Sequence, residues 1–152
     1  MRVLVLLCSA ALVVGCAPAE EQPATDMADT QAAVSLADFA GVWAVTAMPE
    51  TSDSALTTFD LVATDAMDGW SMNPPNREPI PMRVVLVDGD SVVSETGPYA
   101  SLLRDGVMVT LRSVTRLDGG MLTGTFVAHY ATTSADSVVS GRMHGMRKAP
   151  GE

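Results

Sequence analysis

Residues 107–130 read VMVTLRSVTRLDGGMLTGTFVAHY. Val107, Val109 and Leu111 share one face of an extended chain, and Met108, Thr110, Arg112, Val114 and Arg116 share the other. A period of two belongs to a strand, whereas a helix would bring apolar residues back every three to four positions. Asp118-Gly119-Gly120 then offers turn residues between Val107–Leu117 and a second run, Met121–Tyr130. Glycine tolerates the positive φ that tight hairpin turns demand, so the segment predicts an antiparallel β-hairpin. Working outward, Ile80–Val87 and Ser91–Glu95 are joined by Asp88-Gly89-Asp90, and Tyr99–Arg104 is separated from Val107 by Asp105-Gly106. Towards the N-terminus, Gly41–Met48 alternates and stops at Pro49. In Ala55–Thr64 the set Ala55, Thr57, Phe59, Leu61 is more apolar than its opposite, Leu56, Thr58, Asp60, Val62. A short strand at Trp70–Asn73 sits within the turn-rich stretch 65–79, and the last run is Ser137–Lys148.

These runs predict eight or nine short strands and no long amphipathic helix; a helical turn within 31–39, with Ser35 as its N-cap, precedes them. Short turns between successive runs predict antiparallel neighbours in sequence order. An open sheet would leave two edges able to pair with other chains, and closure removes them. The expected fold is all-β, an up-and-down antiparallel β-barrel of about eight strands over residues 38–148, followed by a tail at 149–152. A two-sheet β-sandwich is the alternative.

Phe39-Ala40-Gly41-Val42-Trp43 resembles the opening of lipocalin-like (calycin-like) barrels, in which a Gly-x-Trp on the first strand closes one end. The resemblance implies that a late arginine packs across Trp43, and the last run offers Arg142 and Arg147. An antiparallel partner of the first strand brings its own end near Trp43, which favours Arg147. Trp43, Arg142 and Arg147 are therefore the candidate ligand-binding or barrel-closing residues, with Trp43 expected to be a core plug.

The start of the chain carries an address. Met1-Arg2 is followed by an apolar run, Val3–Val14, shorter than the ~20 residues that span a bilayer as a helix. It ends in Leu12-Val13-Val14-Gly15-Cys16, which resembles the lipobox of bacterial lipoprotein precursors. The resemblance implies that residues 1–15 are a signal peptide, cleaved before Cys16 once lipid is attached to the Cys16 sulfur. Several acyl chains hold a protein stably, at about 0.8 kcal/mol per buried CH₂. Ala17, where an aspartate would retain such a protein in the inner membrane of a Gram-negative cell, implies an outer-membrane location facing the periplasm. Residues 16–37 then read as a disordered acidic tether, rich in Ala, Pro and Thr with little to bury. Its reach is roughly 25 Å.

Composition narrows the chemistry. The net charge of -9 becomes more negative once the segment bearing Arg2 is removed, which argues against nucleic acid. Both cysteines, Cys8 and Cys16, precede the barrel, so the barrel holds no thiol. No Gly-x-Ser-x-Gly elbow occurs, and neither histidine, His129 or His144, is tied by spacing to a serine or carboxylate. No catalytic residue is assigned. Met143-His144-Gly145-Met146, with nine methionines beyond Met1, has the soft donors that suit Cu(I), yet Met143 and His144 fall on opposite faces of a strand; the other methionines, scattered through apolar runs, fit better as packing. Neither a zinc cluster nor a calcium loop is present (Asp65-Ala66-Met67-Asp68-Gly69 reads as a turn), and no metal or cofactor is expected. Arg83, Arg104, Arg112, Arg116 and Arg142 fall within strand runs. They either point outward and pair acids across strands, or point into the lumen to receive an anionic headgroup or carboxylate.

The expected function is a non-enzymatic, membrane-anchored envelope lipoprotein whose barrel binds a small apolar, amphipathic or anionic ligand. The alternative is an envelope protein-interaction barrel, protease-inhibitor-like, that uses its loops; an enzyme is the third class. Lumen volume separates the first two, since ligand pockets run about 300–1,000 Å³. For the partner reading, the 65–79 loop is expected to expose Trp70 as part of an apolar patch.

Overall fold

The computed structural model describes residues 34–149, so Cys16, the signal segment, most of the tether and the end of the tail lie outside the described residues. A single turn of helix, α1 (Leu36–Phe39), precedes eight strands: β1 (Gly41–Pro49), β2 (Thr57–Ala63), β3 (Trp70–Asn73), β4 (Ile80–Asp88), β5 (Ser91–Ala100), β6 (Met108–Asp118), β7 (Met121–Tyr130) and β8 (Val138–Arg147). Each strand pairs antiparallel with the next, and β8 pairs with β1, giving a closed up-and-down barrel. Ser35 caps α1 in both directions, its side chain accepting from Ala37 N–H while Asp38 accepts from the Ser35 N–H.

One predicted element is different. Tyr99–Arg104 is not a strand of its own: Tyr99 and Ala100 end β5, and 101–107 is a loop. Two features produce this. The β5–β6 register slips between Thr96 and Tyr99, a bulge at Gly97-Pro98 that lets β5 continue where proline offers no N–H. Beyond it, the Ser101 hydroxyl accepts from the N–H groups of Leu103 and Arg104 and turns the backbone. The Asp105-Gly106 signal therefore marks a loop tip rather than a two-residue hairpin.

Up-and-down order sorts the connections. Segments 64–69, 89–90 and 119–120 gather at one end with α1, and loops 50–56, 74–79, 101–107 and 131–137 gather at the other. We call these the closed and open ends. Val34, the first described residue, donates to Gly89 O at the closed end.

The lumen is a packed core. Inward positions of β1, β2, β3 and β4 supply Trp43, Phe59, Leu61, Trp70, Met72 and Met82. β7 and β8 approach closely because large and small residues oppose each other: Phe126 faces Gly141, Leu122 faces Gly145, and Met143 faces Gly124. A Cβ on Gly141 would collide with the Met48 carbonyl and the Phe126 ring. A polar stripe crosses this core on β5 and β6. Ser94 and Ser113 hydroxyls bond at 2.8 Å and Thr115 donates to Val92 O, while the buried Thr96 hydroxyl has no partner among the described residues.

Candidate functional site

The closed end is sealed from the sequence upward. Trp43 is the third residue of β1 and fully buried, and its indole N–H donates to Phe39 O at 2.8 Å. The β1–β8 register places Arg147 opposite Trp43, with the guanidinium carbon 4.2 Å from the indole centroid. The same guanidinium donates to Asp38 O at 2.6 Å and to Ala40 O, so it ties α1, β1 and β8 together. Phe39 packs against Trp70 with centroids 6.0 Å apart. Trp70 is 2% exposed and its N–H donates to Ala66 O at 3.0 Å and to Thr64 O. An exposed Trp70 on the 65–79 loop is thus ruled out, which counts against the partner reading in the form that used this loop: the ring is large enough to fill the closed end, and the turn carbonyls satisfy its one polar atom.

Arg142 is not part of this seal. It pairs with Met48 across β1–β8 at the open end of the strand and points outward, where it bridges to Asp53 and donates to Glu50 O at 3.2 Å. The reason is register: five residues along an antiparallel strand carry Arg142 to the other end of the barrel from Arg147.

The remaining strand arginines also leave the lumen. Arg83 and Arg112 share Glu95 across β4–β5–β6, at 3.0 and 2.6 Å, and Arg116 is exposed on the outer wall. Among the described residues no arginine lines the lumen, so none is placed there to hold an anionic group. Outward is the cheaper solution, since an inward guanidinium would lose its hydration with no acid to meet it. His129 and His144 are both exposed on the outer wall, and Met143 is buried on the face opposite His144. Among the described residues no group of three His, Cys, Asp or Glu side chains is placed to hold a metal ion.

The cavity of interest is at the open end. It has a volume of about 50 Å³, is apolar, and is walled by Leu56, Tyr99, Leu102, Tyr130, Val139 and Met143 among others. Loop 101–107 leans over it. Arg104 pins that loop, lying 4.0 Å above the Tyr130 ring and 2.8 Å from Asp136 of the 131–137 loop. The Ser134 hydroxyl, the Asp136 backbone N–H and Arg104 hold the Asp136 carboxyl below the ordinary range. Arg77 secures the other side by donating to Ala100 O and Ser101 O. Tyr99, Ser101 and Tyr130 were not singled out by sequence reasoning, and Arg104, expected in a strand run, lies instead in the 101–107 loop. A weak signal existed in Ser101 standing three residues before Arg104 and four before Asp105-Gly106, a serine-capped turn pattern.

Burial, and after it the neighbouring Tyr130, raise the Tyr99 pKa from 10.0 to about 12. Between these values the folded protein keeps a proton that the unfolded chain has released. The linked stability is therefore intact below pH 10 and falls as pH rises through about 12. Urea midpoints taken across that window are expected to drop less steeply for Tyr99→Phe than for the parent. An identical slope in the two proteins would show that Tyr99 does not carry the effect.

No protein-family model, curated protein sequence or solved structure matches the chain.

Proposed function

We propose that the chain is a non-enzymatic lipoprotein, held to the cell envelope by lipid on Cys16, whose barrel is an interaction module for an envelope protein rather than a carrier. The observation that supports this is the lumen: about 50 Å³ at the mouth, against about 300–1,000 Å³ for pockets that hold a small ligand. Aromatic rings and methionines occupy the space a carried molecule would need. The open end, which presents four loops of six or seven residues, is opposite the end where Val34 meets the barrel. A protein tethered at one end thus has its loop face available at the other. One feature favours a second reading, a small apolar or amphipathic ligand: the mouth is apolar and lies beneath Leu102, so lifting loop 101–107 would enlarge it.

Native mass spectrometry of protein purified from its own envelope tests both parts. The expected mass is that of the chain from Cys16 onward plus covalent acyl groups. A stoichiometric small molecule that dissociates on activation would replace the interaction reading with the carrier reading. A mass without acyl groups would remove the anchor.

A further inference from the structure

We propose that the mouth cavity is a socket for one small aliphatic side chain on a cationic segment of a partner protein. This rests on the interaction reading above and names its site and the chemistry of the partner. Size comes first. A single water needs roughly 10–15 Å³ of such space, and a cavity of about 150 Å³ accepts benzene. At about 50 Å³, the socket matches the few methyl groups of a valine-sized side chain and excludes an aromatic ring. Interfaces draw much of their energy from single anchors seated in desolvated pockets with a polar rim. This cavity has that form, with apolar walls, Arg104 and Asp136 beside it, and Leu103 on the rim 46% exposed.

Charge gives the second half. Two rim cations are paired with acids, Arg104 with Asp136 and Arg142 with Asp53, while Arg77 is held by the Ala100 and Ser101 carbonyls and keeps its charge. Glu50, Glu78 and Asp105 belong to three different mouth loops, and none has an ion-pair partner among the described residues. Tyr99 links the two features, because it walls both the socket and a neighbouring surface cleft that contains Glu78 beside Arg77. An aliphatic side chain in the socket would leave an adjacent lysine or arginine on the Tyr99 side of the mouth, facing the cleft where Glu78 has no ion-pair partner among the described residues. A chain of net charge -9 would also steer a cationic partner towards itself.

The test uses the full lipidated protein in micelles with methyl labels on leucine and valine, titrated with the capped tripeptide Lys-Val-Lys to about 1 mM and above. Saturable shifts at the methyls of Leu56, Leu102 and Val139 are expected. Lys-Gly-Lys, Lys-Phe-Lys and Glu-Val-Glu are expected to shift them several-fold less. Glu78→Gln, an exposed change that leaves the core intact, is expected to weaken Lys-Val-Lys by about two- to five-fold. Val139→Phe, which fills the socket, is expected to abolish the shifts. Absence of saturable shifts, equal shifts with Lys-Gly-Lys, or unchanged affinity in Glu78→Gln would each overturn the proposal. So would tighter occupation of the same methyls by the free apolar probe N-phenyl-1-naphthylamine. Failure here with no small molecule in the native mass removes this site alone; a co-purifying molecule removes the interaction reading as well.

Discussion

Trp43→Ala is expected to lower the unfolding free energy by about 3–5 kcal/mol, the usual loss for a buried aromatic truncated to alanine. For a domain whose total stability is about 5–15 kcal/mol, that is a large share. Three losses coincide at this position. The fully buried indole leaves a cavity at the closed end. The Phe39 carbonyl loses the N–H it accepts from at 2.8 Å. Arg147 loses the ring beneath it, an exposed cation–π contact of about 0.5–1 kcal/mol. Urea denaturation checks this as a fall in midpoint at unchanged slope. Trp43→Phe is expected to cost clearly less, since most of the packing remains, and a Trp43/Arg147 double-mutant cycle isolates the contact between them. A loss under about 1 kcal/mol for Trp43→Ala would mean that the closed end does not depend on this plug.

Cys16→Ala is expected to move the protein from the membrane fraction to the soluble fraction and to abolish incorporation of a fatty-acid analogue. The size of the effect follows from hydrocarbon burial: one acyl chain gives marginal membrane binding, and two or more make it effectively stable. Among the described residues no helix is long and apolar enough to cross a membrane. Label that survives Cys16→Ala, or a variant that stays with the membrane after a salt wash, would refute lipid anchoring at this cysteine.

Much of the fold was legible because it is written in local signals. The alternation of Val109, Leu111, Ser113 and Thr115 with Thr110, Arg112, Val114 and Arg116 marks β6 unambiguously, and the buried set is the one that faces the lumen. Asp88-Gly89-Asp90 and Asp118-Gly119-Gly120 both became hairpin turns, because the residues at the turn meet its φ requirement themselves. Where the local signal was shared between two outcomes, sequence reading went astray. Asp105-Gly106 suits a hairpin or a loop tip equally, and the Ser101 hydroxyl decided between them. The turn residues around Trp70 suggested exposure, although an indole with carbonyl acceptors on its own turn is well suited to burial.

By itself, then, the sequence determined the all-β class, most strand positions and their antiparallel order, since period and turn chemistry act over short stretches; it favoured a barrel over a sandwich, and the β1–β8 pairing decided closure. Only the tertiary structure decided what the barrel encloses and where Arg142 goes. Sequence reasoning favoured Arg147 as the partner of Trp43, and pairing of β8 with β1 across the closure places it there while sending Arg142 to Asp53. The lumen is likewise a sum over all eight strands, in which Phe126 against Gly141 and Met143 against Gly124 consume the volume a ligand would occupy. Volume and register are set by residues distant in the chain, so no single segment carries them.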